Sequence, residues 1–169
     1  MIIRVGILTV SDRSARGKRT DTSGPLLRQM VEQQGWAVER EGIVPDELLS
    51  IQTMLIGWAD DARLDLILTT GGTGFAPRDI TPEATLGVIE RQAPGLAEAM
   101  RAAGAQKNAH AMLSRAVCGI RGHTLIVNLP GSPQGARESP GVILPALPHA
   151  IALLQDQPEA ERTHWLATV

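Results

Sequence analysis

Apolar and polar positions fall along this chain in alternating blocks, and the blocks predict an alternating series of strands and helices. Ile2-Ile3-Arg4-Val5-Gly6-Ile7-Leu8-Thr9-Val10 is β-branched and almost wholly apolar, the profile of a strand covered on both faces in a parallel sheet. The polar, basic stretch 11–22 predicts a loop. Ser23-Gly24-Pro25 reads as a cap followed by proline in the first turn, and Leu26, Leu27, Met30 and Val31 form a stripe until Gly35 stops the helix. Residues 36–44 fit a second strand. A helix over about 46–60 follows, with Leu48, Ile51, Leu55 and Trp58 facing inward and Asp46 and Glu47 in its first turn.

Residues 64–70 predict a third strand, which runs into Gly71-Gly72-Thr73-Gly74. Thr81-Pro82-Glu83 reads as cap, first-position proline and acidic first turn of a helix that Pro94 breaks. A short helix over 96–103 is closed by Gly104, and 106–110 is a polar connector. Two short apolar runs, 115–120 and 124–129, flank Arg121-Gly122-His123, the pattern of an antiparallel pair joined by a tight turn. Residues 142–155 are helical despite Pro145 and Pro148, because no strand could hold two such prolines. The polar segment 156–169 reads as a tail that Trp165 could dock.

This order predicts a three-layer α/β/α sandwich around a mostly parallel sheet containing one antiparallel strand, with the domain over 1–155 and the tail over 156–169. At 169 residues the chain is long enough for one domain with a sizeable core. Tyrosine is absent and Phe75 is the only phenylalanine, so that core must be aliphatic. A formal charge of -2 gives no footprint for a nucleic acid, and no stretch approaches the ~18 apolar residues of a membrane span. The single cysteine, Cys118, excludes an internal disulfide and predicts an inert core thiol in a cytoplasmic protein.

In open α/β sheets ligands bind beyond the carboxyl ends of the strands. The loops 11–24, 45–47, 71–81 and 128–134 leave those ends and hold many of the glycines, prolines and aspartates. Gly71, Gly72, Thr73 and Gly74 suit a backbone nest for phosphate oxygens, though a plain tight turn would use the same residues. The segment is neither a Walker loop nor a dinucleotide fingerprint. Asp46 and Asp79 each lie between a strand and a helix start. Singly each reads as a cap; as a pair across a phosphate site they would hold Mg²⁺. Asp12 stands beside Arg13, Arg16, Lys18 and Arg19, a cluster that is either a solvated face or a landing place for an anion. Asp21 and Ser23 need be no more than local capping groups. The four histidines show no metal-ligand spacing, and Ser114 has no partner for nucleophilic catalysis.

Seven segments in order carry a family resemblance. They are Val10-Ser11-Asp12-Arg13, Asp21-Thr22-Ser23-Gly24-Pro25, Val44-Pro45-Asp46-Glu47, Thr69-Thr70-Gly71-Gly72-Thr73-Gly74, Pro77-Arg78-Asp79-Ile80-Thr81-Pro82-Glu83-Ala84, Ala111-Met112-Leu113-Ser114-Arg115 and Asn128-Leu129-Pro130-Gly131-Ser132-Pro133. Together they resemble the molybdopterin adenylyltransferases of molybdenum cofactor biosynthesis and the related plant and animal domains. The resemblance implies transfer of AMP from ATP to the terminal phosphate of molybdopterin, with release of pyrophosphate and hand-over of the product to a molybdenum insertase. It places the catalytic, Mg²⁺-associated carboxylates on Asp46 and Asp79, and the nucleotide phosphates against Gly71, Gly72, Thr73 and Gly74. Ser114, Asn128, Pro130, Gly131 and Ser132 would border the pterin-phosphate and nucleotide pocket, with Asp12, Ser14 and Ser23 as another rim. It further implies a homotrimer, or the hexamer of a sister subfamily. The competing expectations are an inactive scaffolding relative and another nucleotide-cleaving enzyme on the same fold.

Overall fold

The computed structural model describes residues 2–158. Its strands are β1 (Arg4–Val10), β2 (Ala37–Val44), β3 (Leu66–Thr70), β4 (Arg91–Gln92), β5 (Cys118–Arg121) and β6 (Thr124–Leu129). They form one sheet in the order β2-β1-β3-β6-β5-β4. β2, β1, β3 and β6 run parallel, while β5 is antiparallel to both its neighbours. The expected mostly parallel sheet with one reversed strand is therefore present.

Strand periodicity divides the core. Val5, Ile7, Leu66, Leu68, Leu125, Val127 and Leu129 face one way, against α2 (Ser23–Gln33), α5 (Pro94–Ala105), α6 (Pro133–Ile143) and α7 (Leu147–Leu154). Leu8, Val10, Ile67 and Ile126 face the other, against α3 (Leu48–Ile56) and α4 (Thr81–Leu86). Side chains two apart share a face, so one run of apolar residues builds both layers. At Gly6 the indole of Trp58 takes the space of a side chain: an added Cβ would lie 2.6 Å from the ring. Cys118 is buried at the heart of the first layer, and burial pushes its thiol up to about 12. Iodoacetamide at pH 8 is expected to alkylate Cys118 at least ~100-fold more slowly in the folded chain than in urea, because only a thiolate reacts.

Several local expectations need correction. The loop after β1 contains a one-turn helix, α1 (Asp12–Ala15), because the Ser11 hydroxyl accepts the Ser14 N–H and caps it. α2 is capped by Asp21 rather than Ser23: its carboxylate accepts the N–H groups of Ser23 and Gly24. Asp46 and Glu47 precede α3, which starts at Leu48, and Leu48 itself is 42% exposed. The helix ends at Ile56, followed by a wider π-type turn, Gly57–Asp61. Thr81 does not cap α4; its hydroxyl donates to the Gly71 carbonyl. α4 ends at Leu86, and the edge strand β4 separates it from Pro94, which starts α5 instead of breaking a helix. The connector after α5 contains a 3₁₀ turn, Ala109–Leu113, capped by Asn108. The last helical stretch is two helices. α6 starts far earlier than expected, at Pro133, and α7 starts at Leu147 with Pro148 in its first turn. The tail beyond residue 158, including Trp165, lies outside the described residues.

Candidate functional site

Parallel pairing of β1, β2, β3 and β6 delivers four loops to one edge of the sheet. At their centre Gly71 and Gly72 have φ of +103° and +63°, a region that side chains rarely occupy. Space enforces the same choice. A Cβ on Gly71 would collide with the Val10 carbonyl oxygen, so this turn lies directly on the end of β1. Gly131 approaches from β6: its Cβ would meet the Gly71 Cα at 2.8 Å. The turn is fastened by the Thr81 hydroxyl to the Gly71 carbonyl at 2.9 Å and by the Thr81 N–H to the Gly72 carbonyl at 3.0 Å.

Two carboxylates lie against this loop. Asp46 Oδ1 would be 3.0 Å from a Cβ on Gly72, and Asp79 Oδ2 would be 2.8 Å from one on Gly74. Their acceptor bonds are to backbone: Asp46 Oδ2 accepts the Asp12 N–H at 2.7 Å, and Asp79 Oδ2 accepts the Ala76 N–H at 2.9 Å. Asp46 donates its own N–H to Asp12 Oδ1 at 3.3 Å, which locks the β1 and β2 loops together. Arg78 reaches over from the glycine loop and grips Asp12 with both arms of its guanidinium, at 2.9 and 2.8 Å.

The charges around Asp46 and Asp12 differ in effect. Burial, reinforced by the neighbouring charges of Asp12 and Asp79, pushes the Asp46 carboxyl above its ordinary value. Asp12 is pulled below its ordinary value by the hydrogen bonds from Arg78. A carboxylate held against its preference, beside two others, is suited to receive a cation. Among the described residues no group of three or more His, Cys, Asp or Glu side chains is placed to hold a metal unaided. Asp46 and Asp79 supply two carboxylates, a number with which Mg²⁺ would be held only beside waters and phosphate oxygens.

Two cavities meet at this point, and Gly72, Asp79 and Gly131 line both. The smaller, about 370 Å³, is polar and lies over β1 and α1, between Asp12, Ser14, Asp21, Ser23, Asp46 and the glycine turn. Of the basic cluster, Arg13 and Arg19 line it; Arg16 and Lys18 do not, and Arg16 stands 3.9 Å from Asp12. Ser23 is buried and its hydroxyl donates to the Gly131 carbonyl at 3.4 Å. The larger cavity, about 410 Å³, lies between α5, the 3₁₀ turn and α6. Its walls mix Ala97, Met100 and Val142 with Lys107, Asn108 and His110, and Lys107 pairs with Glu138 at 3.3 Å. Ligand sites of such volume, mostly apolar with a few polar groups, are typical of small-molecule pockets.

Every residue that the resemblance placed at the site lines one of the two cavities, but not in equal roles. Ser114 and Pro130 line the larger cavity, and Ser132 caps α6 by accepting the Gly135 N–H at 3.1 Å. Thr73 is buried, and its carbonyl accepts the Arg115 N–H at 2.9 Å. Asn128 is fully buried beneath the cavity. Its amide donates to Thr69 and Thr85 at 3.0 and 2.8 Å, and its oxygen accepts the Val117 N–H. Sequence reasoning gave no separate role to Arg78, Lys107 and Arg115, and read Thr81 as a helix cap. Only Arg78 had a usable signal, its place beside Asp79.

A doubly covered sheet with a glycine turn, paired carboxylates and twin cavities at its carboxyl edge defines an α/β protein equipped for phosphorylated small molecules. The family model described as "Probable molybdopterin binding domain" matches residues 6–149, and the chain belongs to that family. It is 54% identical to the molybdopterin biosynthesis enzyme MoaB of Thermus thermophilus, whose crystal structure superposes with a TM-score of 0.88 over 93% of this chain and 99% of that one. It is 40% identical over 154 residues to the molybdopterin adenylyltransferase of Helicobacter pylori (strain J99), covering 90% of this chain and 88% of that protein. Gephyrin of Dictyostelium discoideum is 43% identical over 166 residues, 92% of this chain but only 23% of gephyrin. The chain thus spans less than a quarter of that relative's length.

Proposed function

We propose that this protein is a molybdopterin adenylyltransferase: it transfers AMP from ATP to the terminal phosphate of molybdopterin and releases pyrophosphate. The observation that carries the reading is the placement of Asp46 and Asp79 against Gly72 and Gly74, at the junction of two cavities. Two phosphorylated substrates lying in the two lobes have their phosphates side by side at the glycine turn. An oxygen of the molybdopterin phosphate attacks the α-phosphorus of ATP, and the bond from that phosphorus to the pyrophosphate oxygen breaks. The nucleophile is already an anion, so no activated serine or general-base histidine is required. Alignment and charge neutralisation supply the rate.

The residues divide that work. Gly72, Thr73 and Gly74 bind phosphate oxygens through backbone N–H groups, while the Gly71 N–H donates to the Leu129 carbonyl at 3.2 Å and holds the turn on β6; Arg13 and Arg19 add positive charge in the smaller lobe. Asp46 and Asp79 would hold Mg²⁺, which when bound neutralises charge on the polyphosphate. Ser114, Pro130, Gly131 and Ser132 border the larger lobe. No helix among the described residues is long and apolar enough to cross a membrane. The proposal includes a cytoplasmic homotrimer that passes its product to a molybdenum insertase. Incubation with ATP, Mg²⁺ and molybdopterin, followed by mass spectrometry, is expected to show adenylated molybdopterin and pyrophosphate in equal amounts. Absence of both from a preparation of folded protein overturns the reading.

A further inference from the structure

Arg115, ahead of β5, is bonded to the glycine loop at several points. Its Nε donates to the Gly74 carbonyl at 2.7 Å and its Nη2 to the Asp79 carbonyl at 2.5 Å. Its own N–H donates to the Thr73 carbonyl at 2.9 Å, and its Nη1 pairs with Glu83 at the start of α4. One residue thus holds three carbonyls spread over a segment that otherwise consists of turns and exposed side chains, Phe75 and Pro77 among them. Among the described residues the Asp79 carboxylate accepts the Ala76 N–H, itself inside the same segment. From outside the loop, Arg78 is held by Asp12 on one side of Asp79, and Arg115 ties the Asp79 carbonyl directly to that of Gly74, which fixes the carboxylate relative to the glycine turn.

We propose that Arg115 is a positioning residue for the transfer reaction: by pinning the carbonyls of Gly74 and Asp79 it holds the Asp79 carboxylate against the glycine turn. It rests on the adenylyltransferase reading but is separable from it. The fork geometry is essential, because a lysine ammonium cannot donate along both arms at once. The Glu83 ion pair, with Arg115 and Glu83 side chains 34% and 49% exposed, contributes little by comparison.

The test compares Arg115→Lys with Glu83→Gln, which keeps an acceptor for the guanidinium. Arg115→Lys is expected to lower kcat roughly 30-fold, as misplacement of a reacting group does, with the KM for ATP changed less than about threefold. Backbone amides over 74–80 should exchange with deuterium about 10-fold faster in that variant, and Glu83→Gln should match the parent in rate and exchange. Arg115→Ala should recover activity with added ethylguanidinium and not with ethylammonium. Equal losses in Arg115→Lys and Glu83→Gln, or parent-like exchange over 74–80 in Arg115→Lys, overturn the proposal. If the parent transfers no AMP, the functional reading fails by itself. The exchange data, with calorimetric binding of Mg²⁺-ATP, then still decide whether Arg115 orders this loop for its ligand.

Discussion

Asp46→Asn and Asp79→Asn are each expected to lower kcat for AMP transfer at least ~100-fold while the fold survives, a loss on the order of 3 kcal/mol in transition-state stabilisation. Asparagine is the informative replacement. Asp46 accepts the Asp12 N–H and Asp79 accepts the Ala76 N–H, and an amide oxygen can accept both bonds. Only the charge is removed. If these residues were helix caps, the substitution would be close to silent, since Asn caps about as well as Asp. Stability separates the two further. Burial and the adjoining Asp12 and Asp79 charges disfavour ionised Asp46 in the folded chain. Removing that charge should leave the melting temperature unchanged or raised, the usual mark of a group kept for activity at the expense of the fold. Steady-state kinetics beside thermal melting checks both parts. Near-normal transfer in the two variants would leave the carboxylates as framework and place the chemistry elsewhere.

The contrast between what the sequence discloses and what it hides has a physical basis. β1, β3 and β6 are legible because a strand covered on both faces must be apolar at successive positions, and Ile7, Leu8, Leu66, Ile67, Leu68, Ile126 and Val127 satisfy that. The glycine turn is legible because φ of +103° at Gly71 and its approach to Val10 leave no alternative residue. α6 is hidden for the opposite reason. Pro133, Gly135, Pro140 and Gly141 read as breakers, yet Pro133 falls in the first turn, where its missing N–H costs nothing, and Ser132 supplies the cap. β4 consists of two residues whose pairing with β5 has no periodicity to reveal it. Arg78 and Arg115 act on partners 66 and 41 residues away, so their roles exist only after the loops have been brought together. Thr81 has a helix-cap signature and spends its hydroxyl on the Gly71 carbonyl instead. Tertiary demand overrode a local propensity there.

Asn128 lines the same edge as Ser114, and the two are expected to respond oppositely to alanine. The Asn128 side chain is fully buried, and donates to the hydroxyls of Thr69 and Thr85 while accepting the Val117 N–H at 3.2 Å. It thereby ties β6 to β3, to α4 and to the segment entering β5. Asn128→Ala leaves the part-buried Val117 N–H without its acceptor, the buried Thr69 and Thr85 hydroxyls without their donor, and a cavity where the amide stood. An unpaired buried polar group costs about 1–3 kcal/mol, and the lost packing adds to it, so a total of about 3 kcal/mol is expected. For a chain of this size that is a fall of roughly 6–12 °C in melting temperature. Well below the transition, turnover should stay within about threefold of the parent, because both amide protons are spent on Thr69 and Thr85 and the oxygen already accepts the Val117 N–H. Ser114 has a weaker anchor: its hydroxyl accepts the Ala116 N–H at 3.3 Å, and it borders the larger cavity. Ser114→Ala should melt within a degree or two of the parent and lose activity by the worth of one hydrogen bond, ~0.5–1.5 kcal/mol. Thermal melts and steady-state rates on both variants decide the matter. If Asn128→Ala keeps its melting temperature and loses turnover, the amide binds substrate after all, and the hydrogen bonds to Thr69, Thr85 and Val117 are exchanged when a ligand arrives.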